Sequence, residues 1–193
     1  TPEEMKQSVA DVVERGDPAQ GEMVYRREKL GCTRCHAIGG AGGRVGPDLV
    51  SLGASAPVDY IAQSLLDPNA KVKENYHSLV VVTTSGKVVT GIRQRLTDNE
   101  LVLRDANDNE ISVARKEIEE QVNGSSLMPA GLIENLTRDE LSHLVSFLAR
   151  LGKPGPYAAS QTPVARRFRA LADTARARFR IVRTREGQTA IDD

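Results

Sequence analysis

Two cysteines and a histidine lie close together near the start of the chain. Cys32 and Cys35 are the two cysteines of the 193-residue sequence, and His36 follows directly, in the order Cys-x-x-Cys-His. A thiol–disulfide redox site with this spacing needs a strand and then a helix around the thiols, whereas a glycine-rich stretch follows here. A zinc site needs four ligands, and the other histidines, His77 and His143, lie far away along the sequence.

The third chemistry open to these residues is covalent attachment of a c-type haem. Two intervening residues let both sulfurs reach one edge of a rigid porphyrin and add across its vinyl groups, and His36 is then placed beneath the iron. We therefore expect one covalently attached haem c. Zinc, a redox dithiol and two buried unreacted cysteines are the remaining alternatives.

The flanking elements are suited to positioning such a site. A helix is predicted over Pro18–Lys29, because Asp17 can cap it and proline is favoured at the first helical position. The glycine-rich segment 39–49 is predicted to be a loop that can lie close against a ligand face. Further helices are predicted over Asp59–Leu66 and over Thr137–Leu151.

A low-spin haem iron needs a second axial ligand, and Met128 is the best candidate. It lies in a turn-rich segment from which a thioether can point inward, although a methionine there could also fill a gap in the core. Met5 lies in a polar segment, and Met23 falls inside the first predicted helix, where a core role is expected. His77 begins a β-like run, and His143 is predicted to lie on the solvated face of its helix.

In this order, these segments resemble a class I c-type cytochrome. They are most similar to the haem-binding domain of large dehydrogenase-like proteins of the Pirellula/Verrucomicrobium group of bacteria, over about residues 15–151. The segments that carry the narrower likeness are Leu65–Ala70, Thr83–Gly91, Leu103–Ala106 and Ser126–Pro129.

The resemblance implies a set of site residues. Cys32 and Cys35 would form thioether bonds to haem, and His36 and Met128 would ligate the iron. The backbone carbonyl of Pro47 would accept a hydrogen bond from the ring of His36.

Other positions are expected to lie near the haem or to close the helices around it. Gly46 and Leu49 flank Pro47 beside the haem, and Arg44 either pairs with a haem propionate or is solvated. Gly21 and Tyr25 match the first-helix positions that let this helix cross closely over the last one.

A β-rich insertion separates the two expected iron ligands, which lie 92 positions apart. Short segments rich in Val, Ile, Thr and Leu alternate there with turn signals. The predicted strands are Ser78–Thr84, Lys87–Leu96, Glu100–Arg104, Glu110–Val113 and Glu117–Val122. We expect a small antiparallel sheet or barrel that covers the haem edge or docks a partner.

The expected architecture is therefore a mainly α cytochrome c fold, with about four helices around haem, interrupted by a small antiparallel β module and α+β overall. The haem domain would span residues 1–151, with the β-rich insertion at 76–123. Residues 152–193 would be an arginine-rich linker and amphipathic tail, helical from Thr162 to Val182, or the start of a clipped domain.

The charge and hydropathy of the chain restrict the kinds of partner that we expect. Lys plus Arg equals Asp plus Glu at 26 each, so a generic polyanion binder is disfavoured, and we expect no nucleic-acid partner. Residues 152–193 carry a net charge of +5, so this tail could contact an anionic surface or the acidic remainder of the chain. No run is long enough for a transmembrane helix. The chain opens on Thr1 without a leader, as a processed or excised product would.

The resemblance implies a function as well. The chain would be an electron-transfer domain rather than an enzyme, exchanging single electrons between a fused or docked dehydrogenase and a downstream redox acceptor. Its setting would be periplasmic or otherwise extracytoplasmic. The alternative is a haem-based enzyme or a gas or redox sensor, in which release of Met128 opens the iron site.

Overall fold

The computed structural model describes residues 10–12, 14–159, 180–183 and 189–192 of the chain. The chain divides into two units, the first ending at Ala158 and the second beginning at Ala159. Within the described residues, no helix combines the length and the apolar character that crossing a membrane requires.

The helices of the first unit are short, and side-chain caps start two of them. They are α1 (Pro18–Tyr25), α2 (Cys32–Cys35), α3 (Leu52–Ser55), α4 (Val58–Leu66) and α5 (Arg138–Leu148), and residues 10–12, 14 and 15 are also helical. The carboxylate of Asp17 accepts hydrogen bonds from the first turn of α1, as predicted. Thr137 and Glu140 form a reciprocal capping box at the start of α5. Single 3₁₀ turns span Glu28–Leu30 and Arg115–Glu117.

Helix α1 crosses α5 at a glycine. A Cβ atom at Gly21 would lie 1.9 Å from the backbone oxygen of His143, so a larger residue there would force the two helices apart. Tyr25 and Phe147 pack with their ring centroids 5.5 Å apart, and Tyr157 stands edge-on to Phe147 at 5.2 Å. Nδ1 of His143 accepts a hydrogen bond from the backbone N–H of Asp17, which ties the start of α1 to α5.

The strands form one five-stranded antiparallel sheet and two small hairpins. The sheet consists of β3 (Ser78–Thr83), β4 (Val88–Leu96), β5 (Glu100–Arg104), β6 (Glu110–Ala114) and β7 (Ile118–Asn123), in the spatial order β6-β5-β4-β3-β7. A two-residue hairpin pairs β1 (Ala37–Ile38) with β2 (Ala41–Gly42). In the second unit, β8 (Arg180–Arg183) pairs with β9 (Thr189–Asp192).

The sheet has its own aliphatic core on one face. Leu79, Val81, Leu101, Leu103 and Val113 are all buried there, and they come from the alternate positions that a pleated strand turns to one side. This core is separate from the cluster that α1, α4 and α5 bury between them. Each part of the first unit therefore has an apolar interior of its own.

The expectation of a mainly α cytochrome c fold is wrong. The described part of the chain is α+β and rich in strands, because residues 78–123 form a five-stranded sheet while the helices stay short. The first predicted helix, 18–29, ends at Tyr25, since Arg27 turns to extended backbone. The last, 137–151, ends at Leu148.

The arginine-rich tail also departs from its expectation. Arg180–Arg183 is a strand paired with Thr189–Asp192, so the helix predicted from Thr162 to Val182 does not reach its expected end. The rest of that predicted helix, like Met5, lies outside the described residues.

Candidate functional site

The two cysteines lie on a single helical turn. Gly31, in the left-handed region at φ 67°, ends the preceding 3₁₀ turn and starts α2, a conformation that favours glycine. Cys32 and Cys35 stand three positions apart on this turn, a spacing that brings side chains to one side of a helix. Both side chains line the same large cavity. The turn therefore presents two thiols to one volume.

His36 follows the turn with its imidazole fixed in orientation. Nδ1 of the ring lies 2.8 Å from the carbonyl oxygen of Pro47, which can only accept, so Nδ1 carries the proton and Nε2 keeps its lone pair. A Cβ atom at Gly46 would lie 2.3 Å from Cε1 of the ring, so the imidazole packs flat against backbone. Burial lowers the pKa of His36 and outweighs the opposing effect of the Pro47 hydrogen bond, which favours the neutral ring that a metal ligand requires.

The backbone next to His36 is held by a buried phenol. The hydroxyl of Tyr25 donates a hydrogen bond to the carbonyl oxygen of His36 at 3.2 Å. Burial raises the pKa of Tyr25, so this hydroxyl stays protonated and keeps its donor role at neutral pH. Helix α1 is thereby linked to the residue that carries the imidazole.

One carboxylate organises the loop that brings Pro47 to His36. Asp48 accepts hydrogen bonds from the backbone N–H groups of Gly39, Gly40 and Val50, at 2.7–3.0 Å. Burial acts to raise the pKa of Asp48, but these three N–H groups hold it below its usual value. The loop also folds back on α2, since the N–H of Gly46 donates to the carbonyl of Cys35 at 2.7 Å.

A cavity of about 1130 Å³ opens in front of these groups. Its volume lies slightly above the usual range for small-molecule sites, so it can take a large ligand. Its wall is mostly apolar, with aliphatic side chains from Leu30, Leu49, Ile61, Leu65, Leu144 and Leu148 among others. An extended apolar ligand would bury its surface against this wall.

Met128 reaches the same cavity from a segment without regular structure. Its side chain packs against the cluster formed by the helices. The N–H of Met128 donates to Oγ of Ser126, and the N–H of Ser126 donates to Oδ1 of Asn69 at 2.8 Å. One imidazole and one thioether therefore line a single cavity together with both thiols.

The thiols do not have the surroundings of a redox pair. Cys32 and Cys35 are both free and partly buried. Burial raises the pKa of both thiols, and for Cys35 this exceeds the opposing effect of the Arg34 charge. Reactive redox cysteines have lowered pKa values instead, so the dithiol interpretation loses support.

The zinc interpretation finds no support in the side-chain arrangement either. Among the residues that the structure describes, no three His, Cys, Asp or Glu side chains come together as a potential metal-binding group. A structural zinc site uses four protein ligands.

The other predicted positions are divided between the cavity and the surface. Gly46, Pro47 and Leu49 line the cavity, whereas Arg44 does not. Nε of Arg44 lies 3.7 Å from Oδ1 of Asp108, and this side chain is 68% exposed. Of the two roles that the sequence offered for Arg44, the exposure agrees with the solvated one, and the side chain lies near the carboxylate of Asp108.

The rejected ligand candidates also have defined positions. His77 is exposed and does not line the cavity. His143 is half-buried and accepts the Asp17 hydrogen bond, so it is not fully solvated as predicted. Met23 is 45% exposed, so the prediction of a core role for it is wrong.

Sequence reasoning missed the parts of the wall that come from the sheet, from Tyr60 of α4 and from the segment after α4. Ile92 and Asp108 of the sheet line the cavity, as do Tyr60, Tyr76 and Lys71. Asp108 gave only a turn signal in the sequence, and Ile92 gave only a strand signal. No local pattern marks them, because their place in the wall depends on how the sheet packs.

The residues present fit a covalently attached haem. Two thiols three positions apart, an imidazole with Nε2 unprotonated, a thioether and an aliphatic wall are the groups such a cofactor uses. Pro47 supplies the outer hydrogen bond that fixes a ligating imidazole, and Gly46 leaves the space that the ring occupies.

No protein-family model matches the chain. No curated protein shows significant similarity to it.

Proposed function

We propose that the first unit binds one haem c and serves as a single-electron carrier. The observation that supports this most is the convergence of Cys32, Cys35, His36 and Met128 on one mostly apolar cavity of about 1130 Å³. Among the described residues that line this cavity, His36 is the one histidine and Met128 the one methionine. This pair corresponds to the His/Met ligation of electron-carrying cytochromes.

The chain's own residues would hold the cofactor in three ways. The thiols of Cys32 and Cys35 would each add across a vinyl group, the sulfur bonding to one carbon and the hydrogen going to the other. His36 would bind through Nε2, since Nδ1 is committed to Pro47. When bound, the haem iron supplies one-electron exchange between Fe(III) and Fe(II), without a bond to a substrate.

The surroundings of the ligands would tune that exchange. Ligation by the thioether of Met128 would favour Fe(II), and the mostly apolar wall would exclude water, so both would raise the reduction potential. The Pro47 hydrogen bond holds the imidazole in one orientation in both oxidation states, which limits reorganisation. Electrons would enter from a fused or docked dehydrogenase and leave to another redox protein, in an extracytoplasmic setting.

The test is a redox titration of the protein produced with a cytochrome maturation system, alongside Met128→Ala. The wild type should show the absorption band of a thioether bound to Fe(III) and should not bind CO rapidly. Met128→Ala should lose that band, and its midpoint potential should fall, because the soft ligand is gone. Met23→Ala is the matched control, since Met23 is exposed and does not line the cavity.

Two outcomes would contradict the proposal. A preparation without haem would exclude haem chemistry altogether. Rapid CO binding by resting wild-type protein would instead favour the enzyme or sensor, in which Met128 does not occupy the iron.

A further inference from the structure

The five-stranded sheet contacts the segment that carries Met128. Oγ of Ser78, in β3, donates a hydrogen bond to the carbonyl of Ser125 at 2.5 Å. The N–H of Gly124 donates to the carbonyl of Ser78 at 2.9 Å. A Cβ atom at Gly124 would lie 2.4 Å from Oγ of Ser78, so backbone and hydroxyl meet closely there.

The same sheet contacts the loop that orients His36. Asp108, at the turn between β5 and β6, accepts a hydrogen bond from the backbone N–H of Arg44 at 3.3 Å. Arg104, in β5, donates to Asp108 through Nη1 and to Glu110 through Nη2. Arg44 lies in the loop that leads to Pro47, whose carbonyl holds the imidazole.

One cross-strand row joins these two contacts. In the sheet register, Ser78 of β3 pairs with Ile92 of β4, and Ile92 pairs with Arg104 of β5. These residues are 1%, 2% and 4% exposed, so the row is buried from end to end. Ile92 also lines the cavity. The row therefore runs beside the cavity, from the Met128 segment to the loop of His36.

We propose that the row Ser78–Ile92–Arg104 positions the two ligand-bearing loops relative to each other and keeps Met128 within reach of the iron. The proposal rests on the proposed function, and it gives the β insertion a specific role. Ser78, Arg104 and Asp108 are positioning residues, because they would act through Met128 and His36 rather than on the iron.

The Met128 segment lacks regular structure, and under this proposal the sheet holds it in place. Residues 124–129 have no regular secondary structure, so their backbone is held by individual hydrogen bonds. On one side these bonds come from Ser78, and on the other Asn69 accepts from the N–H of Ser126. Loss of the Ser78 hydroxyl would leave the Ser125 carbonyl without this donor, and the segment would move more freely.

The test compares Ser78→Ala with Ser112→Ala in the haem-loaded full chain. Ser112 lies in β6 of the same sheet, and its hydroxyl bonds to Glu100 away from the cavity, so it is a matched control. Ser78→Ala should weaken the thioether–Fe(III) band, speed CO binding about tenfold and speed exchange of the Gly124 amide about tenfold, the effect of one lost hydrogen bond. Ser112→Ala should leave all three unchanged.

Three further variants test the far end of the row and the Asn69 contact, and they guard against misfolding of Ser78→Ala. Asp108→Ala breaks the link to Arg44, and it too should weaken the band and speed CO binding. Asn69→Ala should have the same effect, whereas Asn69→Asp should restore the band, because it keeps an acceptor for the N–H of Ser126.

The outcomes separate this proposal from the proposed function. If the wild type lacks haem or the thioether band, the proposed function fails first. If the wild type has the band but Ser78→Ala retains it, with unchanged CO binding, the positioning role is wrong. If Ser78→Ala alone has an effect and Asp108→Ala has none, the contact is local and the row does not join the two loops.

Discussion

The helices and the sheet of the first unit bury apolar surface in different ways. The sheet has a continuous aliphatic core, in which its buried side chains pack against one another: Leu79, Val81, Leu101 and Leu103. Between the helices and their loops, apolar side chains form a buried cluster and also line a cavity of about 1130 Å³. The sheet fills its core with its own side chains, whereas under the proposed function haem would complete the apolar interior of the helical part.

The largest effect should come from producing the chain with and without haem attachment. Without haem, amides of α1 and α5 should lose about 3 kcal/mol of protection against hydrogen exchange, because the cavity then has no occupant to stabilise its wall. Amides of β4 and β5 should change little. Hydrogen exchange measured by NMR on both preparations checks this.

Equal protection of the helices in the two preparations would contradict that contrast. It would mean that the helical part closes its interior without a cofactor.

A substitution in the sheet core should weaken the chain whether or not haem is attached. Leu101→Ala removes a fully buried side chain and should cost about 3 kcal/mol in the free energy of unfolding of the sheet. Chemical denaturation followed by exchange protection of β5 amides measures it in both preparations. A cost that appears only with haem attached would show that the sheet core depends on the cavity.

A methyl group added at Gly46 should disturb the position of the His36 imidazole with little loss of overall stability. Gly46→Ala would place its Cβ atom 2.3 Å from Cε1 of His36, so the imidazole must move. We expect altered low-spin absorption and a shifted midpoint potential. Gly86→Ala is the control, because a Cβ atom there has open surroundings and does not touch His36. Its φ of 80° makes alanine cost about 1–2 kcal/mol of stability, so it shows the effect of destabilisation alone.

The Gly46 contrast has a clear negative. If Gly46→Ala has the wild-type absorption and potential, the ring of His36 is not held against this backbone in the loaded protein.

The smallest effect concerns the pH dependence of the stability that Asp48 contributes to the loop carrying Pro47. The pKa of Asp48 is lowered in the folded protein, so its contribution is complete above the unfolded value of about 3.9 and is lost as pH falls through the folded pKa. Asp48→Asn should therefore destabilise the chain by about 1 kcal/mol at pH 7, since Asp48 is exposed and its hydrogen bonds are screened. The difference from the wild type should shrink as pH falls through the lowered folded pKa of Asp48. Urea unfolding at a series of pH values measures it, and a constant difference would rule out the charge as the cause.

The strands could be predicted closely from the sequence, and the reason is local. Glu100–Arg104 is found with the expected bounds, and the other four strands of the sheet differ from expectation by one residue at one or both ends. Alternating Val, Ile and Leu define each strand, and the turns at Ser85-Gly86 and Asn107–Asn109 punctuate them. The helical content was nevertheless overestimated, because two predicted helices end early, at Tyr25 and Leu148.

The candidate site could be predicted only in its local part. Cys32, Cys35 and His36 follow from spacing, and the position of Met128 in a turn-rich segment suggested its role. The ion pair between Arg44 and Asp108 could not be predicted, because it joins residues 64 positions apart through the packing of the sheet. The same holds for Ile92 in the wall of the cavity, since nothing in β4 distinguishes it from other strand residues.

The most direct test is mass spectrometry of the peptide that contains Cys32, Cys35 and His36, from protein produced with a cytochrome maturation system. We predict one haem per chain, joined to this peptide by two thioether bonds that survive denaturation and extraction with acidified solvent. A peptide of unmodified mass with two free thiols would contradict the account.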